Sequence, residues 1–407
     1  MKEKVIVTGL GCLIPGIPGA EDFWKSMLCA GSFLSRIGRF DANPYRTRIA
    51  GELSLDISEH VGFNVRAHSR GVQFSLAAAQ EALRHAGVLG DAARLEPCGI
   101  CLGSGLGGLY FSEEAMAALH RAGPRGVSPM QVPSVDPNAI VSQVALRWGI
   151  RGPQLTTSTA CSSSAHALGL SLDMLRAGRC GMVLAGGAEA TISPLVFAGF
   201  DRIRAMSTRN EDATTACRPF SGDRDGFVMS EGAAMLVLET ESHARARGAT
   251  MLAELKGYGA SGGAFNAVAP RPGGEDSLVA MRKALADAGV APDEIDLVNP
   301  HGTGTALNDD AEELALQALL GDHVRQVYVT PTKQLTGHLL GAAAALESVH
   351  VVQSIVRRTV TPIRLHDGRG RLRILQGEAR AHPIRNALNN SFGFGNNNAA
   401  LVFGACR

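Results

Sequence analysis

One cysteine and two histidines of this chain stand in settings that could support chemistry. Cys161 lies in Gln154-Leu-Thr-Thr-Ser-Thr-Ala-Cys161-Ser-Ser-Ser-Ala-His166. There a β-prone threonine run gives way to a helical pattern of Ala165, Leu168, Leu172 and Leu175, which Gly178 stops. That placement puts the sulfur at a helix start, where free N–H groups and the positive end of the dipole favour thiolate over thiol. The small neighbours Ala160 and Ser162–Ser164 leave room for a substrate to reach it. Far downstream come Pro300-His301-Gly-Thr-Gly-Thr305 and Lys333-Gln-Leu-Thr-Gly-His338. One nucleophile and two distant imidazoles point to covalent acyl chemistry. Gly302, Gly304 and Gly337 allow close backbone approach, and the hydroxyls of Thr303 and Thr305 suit an amide-bearing arm. No His-x-x-x-His or paired Cys–His spacing accompanies these residues, so no metal site is expected.

The elements that must hold these residues show a repeat. Glu81-Ala-Leu-Arg-His-Ala-Gly-Val88 matches Lys283-Ala-Leu-Ala-Asp-Ala-Gly-Val290. A polar loop and a β run follow each. Thr157-Ser-Thr159 precedes the Cys161 helix as Thr330-Pro-Thr332 precedes the His338 helix. Two fused α/β halves are therefore expected, 1–248 with the cysteine and 249–407 with both histidines. A two-fold relation would bring the two helix starts together. Strands are expected at Val5–Thr8, Ile100–Gly103, Met182–Ala185, Ala233–Leu238, Leu297–Asn299, Val327–Thr330, Ala387–Ser391 and Ala399–Phe403, alternating with helices. Residues 106–150 have no clean counterpart and read as an insertion shaping a pocket.

Composition sets bounds. The chain has 407 residues, 45% of them hydrophobic, with 48 glycines, enough for a large core with many turns. A net charge of +1 gives no global field towards nucleic acid or membrane, so an acidic partner must be met by local arginines. No apolar run is long enough to span a bilayer, and the N-terminus lacks the apolar stretch of a signal peptide. Eight scattered cysteines fit a reduced, cytoplasmic setting. Cys98 and Cys101 read as core residues on opposite faces of a strand. Gly9-Leu-Gly11 and Gly103-Ser-Gly105-Leu-Gly-Gly108 resemble dinucleotide loops but lack the full pattern, and tight turns explain them better.

Taken together, four motifs resemble those of the β-ketoacyl-acyl carrier protein synthases, in particular the type II elongating enzymes of the thiolase superfamily. They are Thr159-Ala-Cys161-Ser-Ser, His301-Gly-Thr-Gly-Thr305, Lys333-x-x-Thr-Gly-His338 and Asn390-Ser-Phe-Gly-Phe-Gly395. Pro219–Leu238 is similar to a further signature, and the resemblance spans almost the whole chain in order. It implies a thiolase-like, internally duplicated five-layered αβαβα fold. It implies that Cys161 accepts the acyl chain and that His301 and His338 assist decarboxylation of malonyl-carrier protein. The N–H groups of Cys161 and Phe394 would form an oxyanion hole, supported by Lys333 and Glu347. Thr303 and Thr305 would grip phosphopantetheine, Phe392 and Phe394 would gate the site, and Ser112 would close the acyl pocket less tightly than a bulky residue. Arg125, Arg204, Arg66 and Arg70 would dock an acidic acyl carrier protein. No cofactor beyond the carrier's phosphopantetheine is implied. A homodimer, or a heterodimer with a chain-length-factor-like homologue, is.

Two departures from the family pattern stand out: Asn396 and Asn397 replace Gly and Thr after Phe394, and Gln334 replaces Ser after Lys333. They leave open a specialised polyene or polyketide pathway. An inactive scaffold partner is opposed by Cys161. A thiolase acting on coenzyme A esters would need a second cysteine, and Cys406 has no glycine-rich setting.

Overall fold

Apolar runs bounded by turn residues form most of the strands, because a strand covered on both faces has no polar side. In this computed structural model, which describes residues 3–364, 367 and 370–406, ten strands carry the architecture. In the first half they are β1 (Val5–Leu13), β2 (Gly99–Gly103), β3 (Gln154–Thr157), β4 (Met182–Glu189) and β5 (Gly232–Thr240). In the second they are β6 (Ala253–Gly262), β7 (Leu297–Asn299), β8 (Tyr328–Val329), β9 (Asn386–Gly393) and β10 (Asn397–Gly404). The first five lie side by side as β3-β2-β4-β5-β1, and the second five as β8-β7-β9-β10-β6. The order is the same, so the duplication read in the sequence is present in the topology. Only Ile6–Glu254 and Val7–Ala253 pair across the join of β1 and β6.

Six helices complete the layers: α1 (Arg70–His85), α2 (Ala139–Trp148), α3 (Ser163–Arg176), α4 (Glu275–Ala288), α5 (Ala306–Leu320) and α6 (Ala343–Arg357). α1 and α2 cover one outer face, α4 and α5 the other, and α3 and α6 pack together between the halves. Three buried clusters fill the space between the layers, one under each outer helix pair and one around the central helices. Strand β5 divides them by alternation: Ala234, Leu236 and Leu238 face the middle, and Ala233, Met235 and Val237 face outward. Cys98 and Cys101 fall in the outer and middle clusters, on opposite faces as expected.

The glycines of β1 correct the sequence reading. Gly9 and Gly11 are not in a turn but inside the strand. A Cβ on them would lie 2.4 Å from the Ala82 carbonyl oxygen and 2.2 Å from that of Ala78. Gly257 and Gly259 of β6 meet the Ala284 and Ala280 carbonyls at 2.5 and 2.2 Å in the same way. Each pair lets a helix press onto its strand, and the repeated Ala-Leu words of α1 and α4 are the other side of that contact. The supposed insertion is also shorter than expected. Its last part is α2, which packs on α1 as α5 packs on α4. The unmatched part ends before Ala139. No helix among the described residues is long and apolar enough to cross a membrane.

Candidate active site

The chain leaves β3 at Thr157 and enters α3 at Ser163 through a tight turn. Ala160 takes φ +53°, unusual for a residue with a Cβ. Hydroxyls hold this turn. Ser163 Oγ donates to the Ala160 carbonyl at 2.6 Å and accepts from Thr159 N–H at 2.9 Å, and Ser162 Oγ donates to the Thr159 carbonyl at 2.8 Å. The serines are buried, so they build the turn rather than clear a path for substrate. Cys161, 7% exposed, follows the strained residue. Its own N–H and that of Phe394 point at its sulfur, and Ser391 Oγ donates to its carbonyl at 3.0 Å.

His301 follows β7. The turn behind it is fixed by a carboxylate: Glu312 of α5 accepts from His301 N–H and Gly302 N–H, each at 2.8 Å, and from Asn390 Nδ2 at 3.1 Å. Asp309 accepts from Phe220 N–H at 2.8 Å and Gly304 N–H at 3.2 Å. Both acids are buried. Sequence reading missed them, since acids in the first turns of a helix usually mark a solvated end.

His338 precedes α6. Its backbone is tied to the segment leading into β5, with His338 N–H on the Val228 carbonyl at 2.8 Å and Ser230 N–H on its carbonyl at 3.0 Å. Its ring packs edge-on against Phe227 and His301, with centroids 5.4 Å away in each case. Neither His338 ring nitrogen nor His301 Nδ1 is hydrogen-bonded among the described residues. Behind them Lys333 donates to the His301 carbonyl at 2.6 Å and to Glu347, and both charged side chains are buried.

Burial decides the charge states. It holds both imidazoles well below the usual histidine range, and the Lys333 charge adds to the effect. It pushes the Glu347 carboxyl up to about 7 although Lys333 pulls it down. It pushes the Cys161 thiol up to about 12, against Lys333 and the two N–H groups. The expected thiolate is therefore overturned. The helix start is present, but desolvation outweighs it.

A cavity of about 360 Å³ joins these groups. Cys161, His301, His338, Thr303, Thr305 and both Phe392 and Phe394 line it. Lys333 and Glu347 lie behind it. Phe394 meets Phe200 with ring centroids 6.0 Å apart at the rim. Asn396, at φ +56°, shows that the turn survives the loss of glycine. Its side-chain amide donates to the Asn266 and Ala269 carbonyls at 3.0 and 2.9 Å and accepts from Phe265 N–H at 3.3 Å. Gly395 N–H adds a bond to the Ala267 carbonyl at 2.8 Å. The loop bearing Phe394 is thus fastened to the facing rim segment 263–271.

Other expected residues lie elsewhere. Ser112 does not line the cavity; its hydroxyl donates to the Gly108 carbonyl at 3.3 Å within its own helix, Leu109–Ala122. From that helix it is Leu109 that packs against the Cys161 cluster. Arg204 lines the cavity mouth, and Arg125 is exposed on a separate turn. Arg66 pairs with Asp56 at 2.6 Å. Arg70 turns inward to Glu231 at 2.7 Å and the Leu53 carbonyl at 2.9 Å, with its side chain 24% exposed.

Known proteins share this sequence and fold. The model of the β-ketoacyl synthase N-terminal domain matches residues 2–244, and that of the C-terminal domain residues 252–366. The 3-oxoacyl-[acyl-carrier-protein] synthase 2 of Vibrio cholerae is 38% identical over 409 residues, covering 99% of this chain and 99% of that protein. The Staphylococcus aureus protein of the same name is 38% identical over 407 residues, covering 98% of each. Among solved structures, a type II polyketide synthase ketosynthase in complex with its acyl-carrier protein superposes with TM-score 0.92 at 28% identity over the whole of both chains. The ishigamide ketosynthase/chain length factor does so with TM-score 0.91 at 29% identity, again over the whole of both chains. With both halves matched and this identity held along almost its full length, the chain belongs to the β-ketoacyl synthase family.

Proposed function

We propose that the protein is a β-ketoacyl-acyl carrier protein synthase, joining a Cys161-bound acyl chain to malonyl-carrier protein with loss of carbon dioxide. One observation carries this reading: Cys161, His301 and His338 open onto one cavity, with two N–H groups aimed at the sulfur. In the first half-reaction the Cys161 sulfur attacks the carrier thioester, and its proton passes through a neutral imidazole to the departing pantetheine thiol. In the second, malonyl loses carbon dioxide, and imidazole N–H groups hold the enolate oxygen. The carbanion attacks the Cys161 thioester carbonyl, whose oxygen rests on the N–H groups of Cys161 and Phe394 until the thiolate leaves. Each such donor contributes roughly 3–4 kcal/mol at the transition state. Carbon dioxide release drives the bond formation, so the scheme uses no cofactor beyond the carrier's phosphopantetheine, with Thr303 and Thr305 beside the arm. The test is peptide mass mapping after incubation with acyl-carrier protein. The acyl mass should reside on the Cys161 peptide; acylation at another cysteine would sink the reading.

An acidic carrier protein is the partner we propose at the mouth. Arg204 supports it, being exposed there and making no ion pair among the described residues; Arg125 is a second exposed cation. Arg204→Glu should raise KM for carrier-bound substrate severalfold at low salt, with little change in kcat. An unchanged KM at low salt would remove Arg204 from the interface.

A second chain of the same fold, either a copy or a chain-length-factor-like homologue, is also proposed. The helix Leu109–Ala122 has no buried residue, and it exposes Met116 and Leu119. Edge strand β3 of the same half exposes Leu155. Such a face is covered in a stable assembly. Light scattering of the purified chain should give a dimer mass, or a monomer that becomes a dimer when the homologue is added; a monomer under both conditions would refute the pairing. A cytoplasmic location fits an enzyme fed by carrier proteins. Fatty acid and polyene or polyketide assembly use the same chemistry, and product masses from a panel of acyl-carrier proteins distinguish them.

A further inference from the structure

The duplication gives the nucleophile's helix start a mirror position. Helix α3 begins at Ser163 and α6 at Ala343. Three residues before each start stands a non-glycine residue with left-handed backbone, Ala160 at φ +53° and Leu340 at φ +46°. The next residue is Cys161 in one half and Gly341 in the other. At Cys161 the converging N–H groups point at sulfur. At Gly341 they meet a carboxylate of the chain itself. Glu189, the last residue of β4 and wholly buried, accepts from Gly341 N–H at 3.0 Å and Gly105 N–H at 2.5 Å on one oxygen. Its other oxygen accepts from Ser104 Oγ at 3.1 Å and Leu106 N–H at 3.3 Å. A Cβ on Gly341 would lie 2.6 Å from this carboxylate, and one on Gly105 2.9 Å from it. Both positions therefore favour glycine.

We propose that Glu189 is a positioning residue for the reaction: its carboxylate occupies the mirror-image helix start and holds the strained Leu340 turn, and through it His338, in place. The inference rests on the reading of His338 given above. Three backbone N–H groups need acceptors here, and only a carboxylate supplies acceptors on both oxygens. Glutamine has the same shape, yet either orientation of its amide turns an NH₂ towards at least one backbone N–H. A merely space-filling residue would tolerate that exchange; an anion held by fixed donors would not. The charge of Glu189 also opposes ionisation of Cys161, so its removal acts on the two poles in opposite directions.

Burial pushes the Glu189 carboxyl up to about 7, so the experiment belongs at pH 8, where the carboxylate prevails. Glu189→Gln should lower kcat for malonyl-carrier decarboxylation at least about tenfold with KM within about twofold. Alkylation of Cys161 by iodoacetamide should hold its rate or speed up. Amide exchange over residues 338–341 should quicken in the same variant, a readout independent of activity. Absence of decarboxylation by the parent enzyme would sink the ketosynthase reading, and exchange would still decide this one. Parental exchange and kcat in the variant, or alkylation falling in step with kcat, would overturn the role of Glu189. If Glu189→Gln does not fold, Glu189→Ala decides. Sodium formate should raise its melting temperature above that in sodium chloride, and equal melting in the two salts would overturn the proposal.

Discussion

His338→Ala is expected to lower malonyl decarboxylation at least about a hundredfold while the chain remains folded. His301→Ala should do the same. The two backbones are held without their rings, His338 by Val228 and Ser230 and His301 by Glu312. The ring nitrogens of His338 are hydrogen-bonded to nothing among the described residues, so truncation leaves no stranded partner. What is lost is the N–H that meets the enolate oxygen. Radiolabelled carbon dioxide release from malonyl-carrier protein, read beside circular dichroism, checks both halves of the statement. A folded variant releasing carbon dioxide at the parental rate would refute the assignment.

Lys333→Ala should cost more in stability than any exposed ion pair, about 3–5 kcal/mol. The substitution leaves the buried Glu347 carboxylate and the His301 carbonyl without their cation. Its pH dependence has a definite sign. Burial already holds the Glu347 carboxyl at about 7 against an ordinary 4.5. Without Lys333 it rises further, and the folded variant keeps a proton that the unfolded chain releases. The variant is then most stable below about pH 4.5 as far as this group is concerned, and loses that stability as pH climbs through 7. Urea unfolding at pH 5 and pH 8 measures the slope. Glu347→Gln added to Lys333→Ala should flatten it, and a single variant whose deficit does not grow with pH would contradict the coupling.

Much of this site was legible because its residues stand in unusual company. A histidine between glycines and threonines rarely belongs to a core stripe, and the repeated helix words gave the relation between halves. Burial was what remained hidden. Glu189, Asp309 and Glu312 look like surface acids until the fold encloses them, and the same enclosure reverses the ionisation expected of Cys161. Glycine was ambiguous: Gly9 and Gly11 mark close packing with the same letter that marks a turn. Ala160 and Leu340 give no sign of left-handed backbone, since neither residue type prefers it. A helix position does not state which way its side chain faces, so the sequence alone placed Ser112 on its helix and no further. The ion pair of Arg70 was hidden because its partner, Glu231, lies 161 positions away.

The Asn396 fastening makes the entrance an interlock. Segment 263–271 and the Phe394 loop share the three Asn396 side-chain bonds and the Gly395–Ala267 bond. Any lifting of the rim that keeps those bonds draws the Phe394 N–H away from Cys161. An acyl chain on the sulfur would then meet incoming water with one of its two activating donors withdrawn, and a closing movement that kept the bonds would restore that donor as it narrowed the entrance.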